Sequence, residues 1–399
     1  MDFNLSEEQR LLKESVDGLL SDVYGFDQRK KYLKEKGGWS RVVWRRFAEQ
    51  GLLGLPFAEA DSGFGGGGVE TMIVMEAFGR ALVVEPYLAT VVIGGGFLRH
   101  GGSNVQKAAH LPGIIDGSKT FGFAQLEKNS RYDLNDVTTS AKKSGDGWVI
   151  DGEKFVVLNG ENADTLIVTV RTKGAQRDSS GIAVLLVPTD AQGISKRSYL
   201  TQDGLHAADV SFTSVEVGSA AAIGEAENAL PLIERVVDDA RAALCAEAVG
   251  LMDESLKVTV DYMKTRKQFG VPIGSFQSLQ HRAADMFVAL EQARSMSMYA
   301  TMAADIDNAA ERAKAVAAAK VQIGRSGKFI GQQSIQLHGG IGMTMAAKVG
   351  HYFKRLTMIE HTFGDADYHL RRVSETGVFA RFQGMSANST SNSILEDEG

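Results

Sequence analysis

Near the start of the chain, apolar residues recur at helical spacing as Leu11, Leu12, Val16, Leu19 and Leu20. Ser6-Glu7-Glu8-Gln9 precedes them with the form of a capping box, in which Ser6 and Gln9 satisfy the first free amides of a helix. The pattern predicts an α-helical N-terminal domain over residues 1–118. From about residue 120 the period changes. WVIDG, FVVLNG, TLIVTV, GIAVLLV and DVSFTSVEV are short β-rich runs punctuated by Gly, Asp and Asn. SGDG at 144–147 reads as a hairpin turn, and no helix long enough for a βαβ unit separates the runs, so 119–225 is predicted as an antiparallel, barrel-like β domain. The helical period then returns. Three long candidates cover 235–269, 278–306 and 309–339, and a shorter fourth follows Ala346. Short connections between long amphipathic helices predict an antiparallel four-helix bundle over 226–385. The polar, acidic end, 386–399, is predicted to be a disordered tail.

Composition narrows the possibilities. The 399 residues suit two or three domains. A net charge of −6, from 43 basic and 49 acidic residues, argues against nucleic acid as the main partner. One cysteine, Cys245, excludes an intrachain disulfide and suits a reducing cytoplasm, and its apolar setting predicts a packed thiol. The charged N-terminus lacks a signal core, and no apolar run is long enough for a membrane span. No His or Cys pair has metal-ligand spacing, so no metal is predicted.

Two segments carry candidate chemistry. In TRKQFGVPIGSFQSLQHR, Thr265 to Arg282, Arg266 offers a bidentate fork for phosphate and Phe269 a flat ring for stacking. Gly270 and Pro272 set a turn, and Gln277 opens a helix whose first amides favour anions. Alone, the segment reads equally as a helix corner with a solvated charged rim. In QLHGGIGMT, Gln336 to Thr344, the paired Gly339 and Gly340 allow an anion-binding nest of amides or a plain helix C-cap. SGFGGGG at 62–68 has no preceding strand and no following Lys-Ser/Thr, so it reads as a flexible loop.

The combination of RKQFGxPIxxFQ with a later QxxGGxG resembles the acyl-CoA dehydrogenase family. VMEAFGRAL at 74–82 and DGEKFVVLNG at 151–160 extend the resemblance over nearly the whole chain. It implies the helical, β and four-helix-bundle fold, FAD as cofactor, an acyl-CoA as substrate and electron-transferring flavoprotein as electron acceptor. In the family a glutamate removes the α-proton of the thioester while a hydride leaves the β-carbon for FAD, giving the trans-2-enoyl-CoA. Carried over, Arg266, Phe269, Gln277, Gln336, Gly339 and Gly340 contact the ADP part of a neighbouring subunit's FAD.

The flavin-ring side departs from the family. Its TEPxxGSD segment is replaced by AQLEKNSRYD, in which Glu127 is the recognisable residue. Its Trp-Ile-Thr flavin contact is replaced by Val156, Val157 and Leu158, and Leu158 has no hydrogen-bonding group. The two positions that carry the base hold Phe363 and, before Arg241, Ala240. Glu247, Asp365, Glu360 and Asp239 are the nearby candidate bases, each weighed against a solvated or helix-capping carboxylate. Ala346-Ala347 replaces a Glu-Tyr pair of many relatives. The expectation is a small subunit that completes the FAD site of a larger acyl-CoA dehydrogenase subunit. The alternatives are a self-sufficient homo-oligomeric enzyme with an atypical base, and a non-redox acyl-CoA binding protein.

Overall fold

The computed structural model describes residues 5–375. The predicted tail lies outside the described residues.

The helical N-terminal part comprises α1 (Glu7–Val23), α2 (Phe26–Tyr32), α3 (Arg41–Glu49), α4 (Gly68–Ala81), α5 (Gly95–Gly101) and α6 (Asn104–Ile115). The expected capping box is present. Gln9 N donates to Ser6 Oγ, and Ser6 N donates back to Gln9 Oε1. Residues Leu88–Gly94, ahead of α5, form a π-helix that the apolar spacing does not announce.

The β domain comprises β1 (Phe121–Ala124), β2 (Ser140–Ser144), β3 (Gly147–Leu158), β4 (Thr165–Arg171), β5 (Ile182–Pro188), β6 (Ile194–Leu200), β7 (His206–Val217) and β8 (Ala222–Ile223). SGDG makes the expected hairpin, with Ser144 opposite Gly147. WVIDG and the FVVL of FVVLNG form one strand, β3, with irregularities between Ile150 and Gly152 and between Lys154 and Val157. The sheet runs β6-β7-β3-β1-β4-β5-β8 and is mostly antiparallel. Two pairings differ from expectation: β1 runs parallel to β4, with Phe121 opposite Thr165, and β2 meets β4 in parallel at Ser140 opposite Arg171. The chain between β1 and β4 is occupied by β2 and β3 rather than a helix, so no crossover signal exists in the sequence.

The bundle comprises α7 (Leu230–Thr265), α8 (Gln277–Ala304), α9 (Ala309–His338) and α10 (Lys348–His361), followed by α11 (Ala366–Glu375). α7 stops at Thr265, short of the predicted 269, because Lys267–Gln268 and Val271–Pro272 pair as a small hairpin, β9 and β10. Two glycines dock the N-terminal part onto the bundle. A Cβ at Gly79 of α4 would lie 2.0 Å from Glu247 O, and one at Gly250 of α7 would lie 1.9 Å from Glu76 O. The α4 and α7 backbones touch there, which fixes the height of Glu247 relative to the N-terminal helices. Cys245 is fully buried, as predicted, and burial pushes its thiol up to about 12.

Candidate functional site

The segments singled out for anion binding meet at one end of the bundle. Tyr262, near the end of α7, stacks on His338, at the end of α9, with ring centroids 4.4 Å apart. Arg282 of α8 donates to Gln333 of α9 at 3.1 Å. Arg266, Phe269, Gln277, Gln336, Gly339 and Gly340 are all exposed around these contacts.

Phe269 is the notable member. It occupies the tip of the β9–β10 hairpin with φ 55°, beside Gly270 at 83°. Two positive φ values in a two-residue loop are those of a type I′ turn, which ordinarily takes Asn-Gly. Backbone strain of this kind costs about 1–3 kcal/mol. The ring gains little in return: it is 92% exposed, with Phe276 edge-on at 6.2 Å. Ile341, Met343 and Met345 add exposed apolar surface at the same end. At Gly339 and Gly340 an added Cβ would meet nothing within 4 Å.

The second region lies where the N-terminal helices, the β domain and α7 meet. Leu158, Leu244, Glu247 and Thr362 line one cavity of about 80 Å³ there. Phe363 follows Thr362, packs into the apolar core and places its ring 6.3 Å from that of Phe123. The loop carrying Phe363 is clamped by buried donors. Lys320 Nζ donates to Ile359 O at 2.6 Å and Thr362 O at 3.2 Å. Arg241 Nε donates to Phe363 O at 2.9 Å. His369 Nε2 also lies 3.1 Å from Phe363 O. Burial, then the charges of Arg241, Lys320 and Arg372, push the His369 imidazole down to about 2, so it is neutral and donates through Nε2–H. Gly364 has φ 117°, and a Cβ there would lie 2.4 Å from that nitrogen.

Each of the four nominated carboxylates has a partner. Arg355 grips Glu247 with two nitrogens, NH2 to Oε2 at 2.8 Å among them, and donates to Asp203 through NH1 at 2.9 Å. Asp239 accepts from Arg99 and lies against His100, each at 2.8 Å. Burial opposes the Asp239 charge, but His100 and Arg99 outweigh it and hold the carboxyl below its usual range. Asp365 caps α11, accepting from Tyr368 N at 2.8 Å, and takes a second bond from Tyr132 at 3.2 Å. Glu360 accepts from Ala366 N at 3.0 Å. Ala240, at the alternative base position, is fully buried.

On the β-domain side, Val156 has φ 48°, a conformation β-branched residues rarely adopt, within the irregular part of β3. Its amide donates to Asp209 at 3.1 Å. Glu127 forms a buried pair with Lys154 at 2.7 Å and accepts from the amides of Thr138 and Thr139. Burial works against the Glu127 carboxylate, but Lys154 and those donors outweigh it and hold it at about 2. A carboxyl depressed below its unfolded value of 4.5 stabilises the fold above pH 4.5, and that contribution is lost as pH falls toward 2. Each unit of depression is worth about 1.4 kcal/mol. Glu127→Gln should therefore flatten the stability profile between pH 4.5 and 2 in denaturant melts; an unchanged slope would show that other carboxylates dominate acid unfolding. Lys154, Lys320, Arg355 and His369 were not legible as site residues. The available signal was a charged residue interrupting an apolar face, as with Lys320 in AVAAAKVQIG.

Models of the acyl-CoA dehydrogenase N-terminal, middle and C-terminal domains match residues 6–118, 122–216 and 230–377 in that order. A probable acyl-CoA dehydrogenase of Bacillus subtilis, YngJ, is 31% identical over 379 residues, covering 94% of this chain and 98% of its own.

The chain belongs to the acyl-CoA dehydrogenase family.

Among solved structures, the ChsE4-ChsE5 complex from Mycobacterium tuberculosis aligns at 25% identity and TM-score 0.85, covering 94% of this chain and 98% of that one. Butyryl-CoA dehydrogenase from Megasphaera elsdenii aligns at 22% identity and TM-score 0.86, over 94% and 99%, which supports the fold alone. The fold expected from the motifs is thus the family's. Among the described residues, no group of His, Cys, Asp or Glu is arranged to hold a metal, and no helix is long and apolar enough to cross a membrane.

Proposed function

We propose that this chain is the small subunit of a heteromeric, FAD-dependent acyl-CoA dehydrogenase, and that it completes the FAD site of a larger partner. The observation that carries the reading is Phe269, a strained aromatic presented at a hairpin tip with almost no contact to its own chain. Strain held at an exposed tip, with Arg266 and Gln336 nearby, supports contact with something outside this chain.

The residues fit FAD unevenly. Toward the ADP part the donor set suits: Arg266 for phosphate, Phe269 for stacking, and Gln277, Gln336 and the open Gly339–Gly340 backbone for polar contacts. Toward the ring the fit fails. Leu158 has no hydrogen-bonding side chain, and the cavity it lines, about 80 Å³, is small against the roughly 300–1,000 Å³ usual for ligand pockets. The four candidate bases are engaged in ion pairs or helix caps. Bound FAD supplies the two-electron acceptor for α,β-dehydrogenation; this chain's part is to hold the cofactor's far end, with the ring and base in the partner. The paired name of the ChsE4-ChsE5 complex supports an assembly of two related chains. By resemblance, the counterpart proposed for this chain is the small subunit of pimeloyl-CoA dehydrogenase. Electron-transferring flavoprotein is the proposed oxidant of the reduced complex.

The chain purified alone should carry well under one FAD per subunit and show no acyl-CoA-dependent bleaching of flavin absorbance. Stoichiometric flavin with rapid bleaching in the lone chain would instead establish a self-sufficient enzyme.

A further inference from the structure

The two halves of the proposed ADP contact are carried by different helices. Arg266 and Phe269 follow the end of α7, and Gln336, Gly339 and Gly340 lie at the end of α9. Their spacing depends on how those two helix ends are held together. The stack of Tyr262 on His338 holds them, with ring centroids 4.4 Å apart and planes 20° apart.

Each ring is tied directly to its own half. Arg266 N donates to Tyr262 O at 2.8 Å, and Arg266 O accepts from Ile273 N at 2.8 Å. The root of Arg266 is thus pinned between Tyr262 and the far side of the β9–β10 hairpin. His338 lies between Gln336 and Gly339, and Gly339 N donates back to Gln336 O. A Cβ at Gly342 would lie 3.0 Å from His338 Cβ and 2.8 Å from Ile335 O, so the turn Gly339–Met343 folds onto His338. The imidazole itself is locked. It is 7% exposed, and its Nδ1 lies 2.8 Å from Ser334 O. Burial pushes the imidazole below its usual range, with the Ser334 bond working against that, so the ring is neutral at pH 7 and Nδ1–H donates. Ser334 in turn accepts from Ser255 Oγ of α7 at 2.9 Å, so the stack continues a contact between the two helices that begins lower in the bundle.

We infer that Tyr262 and His338 are positioning residues, a strut that sets the gap between Arg266 and the Gly339–Gly340 backbone so that one ADP group meets both. The inference rests on the proposed FAD contact and adds what fixes its geometry. A ligand that bridges two separate elements binds well only when the gap between them is set beforehand, because otherwise binding must also order the protein. A pair of flat rings suits that role, since stacking fixes distance and orientation together and is worth more than the area it buries.

The test titrates the full-length chain with ADP by ligand-observed NMR, which reads weak affinities. His338→Asn keeps a donor for Ser334 O and removes the ring, whereas His338→Phe keeps the ring and removes the donor. His338→Asn should weaken ADP binding about 3- to 10-fold, the value of one aromatic pair, and His338→Phe should retain it. Tyr262→Leu breaks the same stack from α7 and serves should His338→Asn unfold the chain. Coupling to Arg266 separates positioning from mere stability. Arg266→Ala should weaken ADP binding in the wild-type chain, and by a smaller factor in the His338→Asn chain, where Arg266 is already out of register. A stack that only stabilised the fold would leave the two factors multiplying. Unchanged affinity in both His338→Asn and Tyr262→Leu, equal losses in His338→Asn and His338→Phe, or independent factors would overturn the strut and leave the ADP contact standing. No ADP binding by the wild-type chain, or no effect of Arg266→Ala on it, would remove the ADP contact and the strut with it.

Discussion

Arg355→Met is expected to destabilise the chain by about 3–5 kcal/mol, the usual result of removing one partner from a buried ion network. Arg355 is the cation between Glu247 and Asp203, and their side chains are 14%, 9% and 1% exposed respectively. Burial works against the Arg355 charge, but the two carboxylates outweigh it and raise its pKa further. Methionine preserves much of the volume and leaves two buried carboxylates unpaired. The midpoint of denaturant unfolding should fall accordingly. Changing the carboxylates too, with Glu247→Gln and Asp203→Asn alongside Arg355→Met, should recover most of the loss, because well-packed neutral groups replace a buried ion network at little cost. A drop in midpoint that persists in the triple variant would mean that Arg355 acts through packing rather than charge.

Arg266→Ala should strip FAD from the assembled complex while leaving the subunits together. A hydrogen bond to a charged group is worth about 1.5–3 kcal/mol, so flavin affinity should fall roughly 10- to 100-fold. Arg266 is exposed, and its amide, which donates to Tyr262 O at 2.8 Å, is unaffected by side-chain truncation. The lone chain should therefore melt as before. Flavin content is read from absorbance after dialysis. Full retention would remove Arg266 from the ADP contact and leave the hairpin as a protein–protein element only.

Local chemistry made much of this fold readable. Ser6 and Gln9 cap α1 as their spacing predicts, and Gly145 and Asp146 turn β2 into β3. What sequence spacing does not carry is pairing across long separations. The parallel pairing of β1 with β4 skips two strands, and Arg355 lies 108 residues from Glu247. Glu247 was a candidate because one helical face holds it near Ala240. That placement is right as helix geometry, but it could not reveal the guanidinium waiting on α10. The left-handed conformation of Phe269 was also hidden, since nothing in Gln-Phe-Gly-Val distinguishes a strained tip from an ordinary corner. The exposed motif was legible in composition, and its strain was legible only in three dimensions.

The cluster of Phe269, Ile341, Met343 and Met345 at one end of the bundle bears on how the protein must be made. Exposed apolar side chains associate with whatever reaches them first, including another copy of the same chain. Under the subunit proposal, synthesis has to be matched to the partner's, because every surplus copy carries that adhesive end into solution. Producing the two chains from one transcript, or supplying the partner early, then limits self-association of the surplus before it serves catalysis.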